Sequence, residues 1–197
     1  GSPNKGDWGN GPSISYFPAV ASDVTLGELL HHEALGHGFA KLADEYYLHD
    51  ERVDPVFVEE TISNIENLGY FKNIDFTDNP AKVRWSHFLS DERYANEDLG
   101  IFEGAFNYFA YGIYRPSQTS IMDDNMGEFN APSREAIYYR IHKLAYGPDW
   151  EYDYEKFVEY DAVNRAAASA GGSQKRRANY VEKQYEPLHP PVVVGKT

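Results

Sequence analysis

One short stretch of this chain carries residues of the kind that do metal chemistry: His31-His32-Glu33-Ala34-Leu35-Gly36-His37-Gly38. Two histidines flanking a glutamate on one helix can bind zinc (Zn2+) through both imidazoles and set the carboxylate beside the ion as general base. The usual spacing is His-Glu-x-x-His, because residues four apart on an α-helix differ by only about 40° around its axis. His32 and His37 are one residue further apart than that. A regular α-helix would separate their rings by about 140°, too far round for one ion. A π-type distortion, at about 4.4 residues per turn, reduces the angle to about 50°. The spacing therefore predicts that the helix bulges between His32 and His37, with Gly36 and Gly38 easing the distortion, or that it does not bind metal in this way.

A catalytic zinc also needs a third protein ligand and an open position for water. Asp44 and Glu45 are the nearest candidates, and Glu103 and His87 are rivals arriving from elsewhere in the chain. Were the helix to continue regularly past His37, Asp44 would lie about 10 Å further along the axis. Use of Asp44 thus requires the chain to leave the helix near Gly38 to Ala40 and fold back. The helix-forming propensity of Lys41, Leu42 and Ala43 opposes that reversal. His31 reads as a surface residue or a neighbour of the ligands.

The elements that must position these residues have their own signals. Thr25 and Glu28 form a capping box at the start of the histidine helix, whose first buried stripe is Leu26, Leu29 and Leu30. A short strand is expected within Ile14 to Val20. A second helix runs from about Pro55 to Asn67 and stops at Gly69, and Asn79-Pro80 marks a turn. The aromatic run Ile101 to Tyr111 fits helix or strand, and its length favours helix. Ser133 reads as the N-cap of a late helix with Ile137, Ile141 and Leu144 on its inner face, ended by Gly147-Pro148. An Ala-rich helix follows near Asp161 to Ala170, then a Gly171-Gly172 break and a Pro-rich close at Pro187, Pro190 and Pro191.

Composition bounds what this assembly can be. Of 197 residues, 31 are acidic and 18 basic, for a net charge of -13. That balance argues against nucleic acid as a partner, since phosphate binding needs clustered cations; the one compact basic run, Lys175-Arg176-Arg177, sits in an Ala/Gly/Ser-rich stretch and reads as a solvated loop. With 16 Tyr and 11 Phe there is enough apolar surface for a core, and with no Cys the possible metal ligands are His, Asp and Glu. No apolar stretch is long enough for a membrane span.

Taken together, His32-Glu33, Gly36-His37 and Leu42-Ala43-Asp44-Glu45-Tyr46 resemble the IgA-peptidase family of zinc metallopeptidases. Later blocks resemble that family in the same order: Gly100-Ile101-Phe102-Glu103-Gly104-Ala105, Gly112-Ile113-Tyr114-Arg115-Pro116, Ser120-Ile121-Met122, and Phe129-Asn130 leading to Ser133-Arg134-Glu135-Ala136-Ile137. The resemblance covers roughly Ile14 to Tyr146. It implies an α+β, metzincin-like zincin catalytic domain, mostly helical in this chain, with a short N-terminal strand region. It also implies His32, His37 and Asp44 as zinc ligands, Glu33 as general base, and Met122 as the methionine lying beneath the ion. Residues 1–150 would form the catalytic domain and 151–197 a C-terminal extension packed on it, ending in a Pro-rich linker. The lengthened motif is similar to the His-Glu-x-x-x-His of the dipeptidyl peptidase III enzymes. Ala40 stands where metzincins commonly have Gly, and Asp44 lies one residue later than their third ligand. The short run before the histidine helix, where metzincins place several strands, reads as that of an excerpt from a larger protein.

The expected activity is zinc-dependent endopeptidase action on a protein or glycoprotein substrate by a metal-activated water, with Glu33 taking its proton. Tyr114 and Arg115 are candidates for holding substrate or an oxyanion. A secreted or bacterial cell-surface location follows from the resemblance. The competing class is an inactive protein- or glycan-binding module of the same fold. The sequence leaves the oligomeric state open.

Overall fold

The computed structural model describes residues 15, 25–125 and 127–169. The expected strand at Ile14 to Val20 and the Gly171-Gly172 and Pro-rich segments lie outside the described residues, apart from Ser15. Helix α1 (Leu26–Leu29) begins with the expected box: the Glu28 amide donates to Thr25 Oγ1 at 3.2 Å, and the Thr25 amide donates to Glu28 Oε2 at 2.8 Å. It runs without interruption into a π-helix, Leu30–Ala40. After it come β1 (Tyr47–Arg52), α2 (Pro55–Leu68), α3 (Ser86–Ser90) and a 3-10 turn at Glu92–Tyr94. Next are β2 (Phe102–Ala105), β3 (Asn107–Arg115), α4 (Ile121–Asp124), α5 (Ala131–Tyr146), α6 (Tyr154–Tyr160) and α7 (Ala162–Ser169). The architecture is mixed α and β. No helix among the described residues is long and apolar enough to cross a membrane.

The three strands form one sheet in the order β1-β3-β2, with β1 parallel and β2 antiparallel to β3. Two of them come from the aromatic run expected to be helical, and they replace the expectation of strand only near the N-terminus. The pattern is that of strands: Ala105 and Ile113 are buried on the sheet while Tyr108 and Tyr111 are exposed. Gly104 and Gly112 have φ of +101° and +89°, backbone that a helix does not contain. At Gly104 the absent Cβ also makes room for the Tyr47 ring. The β2–β3 turn is closed by Phe106 at φ +64°, whose ring packs edge-on against Phe57 and Phe71.

Three apolar clusters hold these elements. Ala43, Val53, Ile74, Ala105 and Ile113 join the sheet to α2. Ala40, Leu42, Ile121, Met122 and Ala136 join the π-helix to α4 and α5. Trp85, Phe88, Tyr94, Tyr138, Phe157 and Val158 join α3, α5 and α6. Helix α2 begins with Pro55 behind the Asp54 cap and stops at a left-handed Gly69, as its signals imply.

The N-cap of α5 is Asn130, three residues before the expected Ser133: the Ser133 amide donates to Asn130 Oδ1 at 3.1 Å. Of the helix's expected inner face, Ile137 packs against the Leu42 and Met122 cluster, and the rest differs. Ala136 and Tyr138 are buried, while Ile141 and Leu144 are exposed. Tyr138 is the residue that enters the aromatic cluster, within 5.4 Å of the Phe157 ring centroid. In α1 only Leu29 of the expected leucine stripe is buried.

Candidate metal centre

His32 and His37 lie on the π-helix, the distortion that a five-residue spacing requires if both rings are to share an ion. It extends over 11 residues instead of a single bulge. Gly36 sits inside it, and a Cβ there would collide with the sulfur of Met122, which is fully buried. The helix can come this close to the Ile121–Asp124 turn only because position 36 lacks a side chain.

The chain turns back at Lys41, one residue past the predicted region. Lys41 takes a left-handed conformation at φ 59°, at a cost of roughly 1–2 kcal/mol for a residue with a Cβ. The Lys41 and Leu42 amides both donate to the Gly36 carbonyl, and the Phe71 amide donates to the Lys41 carbonyl at 2.8 Å. Helix propensity at 41–43 loses to burial: Leu42 enters one apolar cluster and Ala43 another. Asn73, a fully buried residue that the sequence reading did not single out, brackets Ala43 by accepting from its amide at 2.9 Å and donating to its carbonyl at 2.8 Å.

This reversal places Asp44 beside the histidines. His32 Nε2 and His37 Nε2 are 3.1 Å apart, and Asp44 Oδ1 lies 3.2 Å from the first and 3.0 Å from the second. All three residues are buried, at 3%, 4% and 9% exposure. His32 Nδ1 donates to the Ile121 carbonyl at 2.6 Å, and His37 Nδ1 donates to the Leu42 carbonyl at 2.8 Å. Carbonyl oxygens only accept, so the proton of each neutral ring sits on Nδ1 and the Nε2 lone pair faces Asp44.

The electrostatics call for positive charge among these atoms. Burial opposes a charged His37, but the hydrogen bond and charge of Asp44, the Leu42 carbonyl and the charge of Glu33 outweigh it and raise the imidazole above its ordinary value. Burial likewise opposes ionised Asp44, yet the hydrogen bonds that protonated His32 and His37 would donate, and the positive charge they would carry, hold it well below the usual carboxylate range. A divalent cation meets the same demand. In a tetrahedral zinc site with ligand bonds of about 2.0–2.1 Å, ligand atoms lie about 3.3–3.4 Å apart. The observed triangle is close to one face of that tetrahedron. Two imidazole nitrogens and one carboxylate oxygen are a donor set zinc accepts, and no fourth His, Asp or Glu joins them among the described residues, which leaves one position for water.

Glu33 follows His32 on the π-helix and is half-buried, its carbonyl accepting from Ser15 Oγ at 2.9 Å. Its charge acts on both His37 and Tyr46. Tyr46 is a further residue of this site: burial, the Asp44 and Glu33 charges, and its own hydrogen bond to Asp44 hold the phenol proton on. His31 is exposed.

The rival ligands are occupied elsewhere. Glu103 Oε1 accepts from the Gly112 amide at 2.8 Å on the sheet, and His87 Nε2 lies 3.0 Å from Glu135 Oε1. Glu45 is fully buried and turned away from the triangle, with Asn73, Ser120 and Asn130 donating to its carboxylate. Burial pushes that carboxyl up against the pull of those donors. Tyr114 packs against the Trp85 cluster and pairs through its backbone with Asp75, while Arg115 donates to the Gly104 and Ser117 carbonyls. No protein-family model and no curated protein sequence matches the chain.

Proposed function

We propose that this chain is a zinc-dependent endopeptidase of metzincin-like architecture, akin to the IgA-peptidase family, with His32, His37 and Asp44 as ligands and Glu33 as general base. The observation that carries the reading is the donor triangle, closed by a π-helix that brings both rings to one side. Zinc held there would polarise the scissile carbonyl and lower the pKa of a bound water to near neutrality. The chain's own residues do the rest. The Ile121 and Leu42 carbonyls fix the imidazole tautomers, and Asp44 supplies the negative charge that retains a cation. Glu33, one residue from a ligand, takes a proton from the attacking water and returns it to the leaving amine. The Tyr46 phenol, kept protonated beside Asp44, is available to donate toward developing negative charge. The substrate class is protein or glycoprotein, and the location secreted or cell-surface.

Metal analysis of purified protein tests the first half of this reading. About one zinc per chain is expected in the wild type and none in His37→Ala. Glu33→Gln tests the second half: it should retain zinc and lose about 10²–10⁴-fold in peptide hydrolysis. Undiminished cleavage by the zinc-loaded Glu33→Gln protein would remove Glu33 from the mechanism.

A further inference from the structure

Asp44 lies on a segment, 41–46, with no regular secondary structure, yet it must hold one oxygen within a few tenths of an ångström of its place. The backbone around it is tied at three points. Asn73 brackets Ala43, the Phe106 amide at the β2–β3 turn donates to the Asp44 carbonyl at 2.9 Å, and the Glu45 amide donates to the Met122 carbonyl at 2.8 Å. The Glu45 side chain adds a fourth tie and reaches further than the others.

Its Oε2 accepts from Ser120 Oγ at 2.7 Å and from Asn130 Nδ2 at 2.8 Å, and its Oε1 accepts from Asn73 Nδ2 at 2.9 Å and Asn130 Nδ2 at 3.0 Å. Ser120 in turn accepts from the Met122 amide at 3.1 Å, and Asn130 donates to Ser117 Oγ while capping α5. One buried carboxylate thus joins the Asp44 segment, the Asn73 segment, the Ser120–Met122 turn and the start of α5. That turn includes Ile121, whose carbonyl orients His32, and the Asp44 segment includes Leu42, whose carbonyl orients His37. The orientations of all three donors therefore meet at Glu45. Burying a carboxylate is costly, and well-packed apolar residues often stabilise a core as well or better. A role in fixing geometry accounts for the group's presence where stability alone does not.

We propose that Glu45, with Asn73, Ser120 and Asn130, is a positioning residue that sets His32, His37 and Asp44 at the spacing a metal requires. The proposal rests on the metal-site reading above. It is tested by zinc affinity, independently of turnover, through competition between metal-stripped protein and a chromophoric chelator. Glu45→Ala should weaken zinc binding about 10–100-fold. Glu45→Gln, which keeps an acceptor for the asparagines, should recover most of that loss.

Thermal unfolding of the metal-free proteins separates this role from a purely structural one. Lower melting temperatures with wild-type zinc affinity in the folded variants would overturn the proposal. Should Glu45→Ala fail to fold, Ser120→Ala removes one donor to Glu45 along with the acceptor of the Met122 amide, and should still weaken zinc about 10-fold, unchanged affinity again overturning it. Wild type that binds no zinc would defeat the metal-site reading and this proposal with it, whereas tight wild-type binding left intact by the variants defeats this proposal alone.

Discussion

Asp44 and Asp161 are both buried carboxylates faced by side-chain nitrogens, yet their surroundings differ in one respect. Asp161, fully buried after α6, accepts from Arg134 Nε and Nη2, each at 2.8 Å, from Tyr94 at 3.2 Å and from Asn164 at 2.8 Å. Arg134 also donates to Glu97 and to the Phe129 carbonyl at 2.7 Å. The guanidinium supplies the positive charge permanently, so this cluster is complete within the chain. Around Asp44 the nitrogens are two imidazole Nε2 atoms, which carry lone pairs in the neutral rings, so positive charge comes there only with a proton or a metal. The first arrangement locks helices α5 and α6 to the 3-10 turn. The second brings two imidazole nitrogens and a carboxylate oxygen to one point, the geometry on which the proposed metal site rests.

The contrast can be broken most forcefully at Arg134. Arg134→Ala leaves Asp161 buried without its cation and should cost about 3–5 kcal/mol in urea unfolding. Zinc affinity of the folded fraction should not change; a parallel loss of affinity would show that the two clusters are coupled. Next in size is the response to the ion itself. Zinc at about 100 times its Kd should stabilise the protein by about 2.7 kcal/mol, an effect absent in His37→Ala. Equal stabilisation of that variant would place the ion elsewhere. The same zinc should leave the Arg134–Asp161 cluster's contribution unaltered.

The smallest expected effect sharpens the comparison at the packing beneath the site. Gly36→Ala presses a methyl against buried Met122 and should cost about 1–3 kcal/mol. If the π-helix is held in place by this contact, the variant should also bind zinc more weakly. A neutral substitution would mean that Met122 has room to move, and that the close approach of helix and turn is incidental to the metal geometry.

Several of these features were legible in the residues. The His32 to His37 spacing called for a distorted helix if both rings were to share an ion, and Thr25/Glu28, Pro55 and Gly69 mark helix ends through interactions only a few residues long. The reversal at Lys41 was legible only as a condition on the use of Asp44, because local propensity favours helix there and the forces that override it come from Asn73, Phe71 and two separate apolar clusters. The β2–β3 hairpin was not legible: an aromatic run of that length fits either period, and its glycines decide the matter only once Tyr47 and Val53 are seen against them. The inner face of α5 was misjudged for a related reason. Ile141 and Leu144 have the right spacing, but the aromatic cluster forms around Tyr138.

By itself the sequence determined which atoms could meet a metal and what distortion their spacing would need, because ligand chemistry and helical angle are properties of residue type and interval. Which acid completes the set was a tertiary decision. Asp44, Glu45, Glu103 and His87 all carry suitable donors, and their roles separated only when packing turned Asp44 toward the imidazoles, buried Glu45 among Asn73, Ser120 and Asn130, and engaged the other two elsewhere. Direction in space depends on contacts between segments far apart in the chain, and no local pattern encodes it.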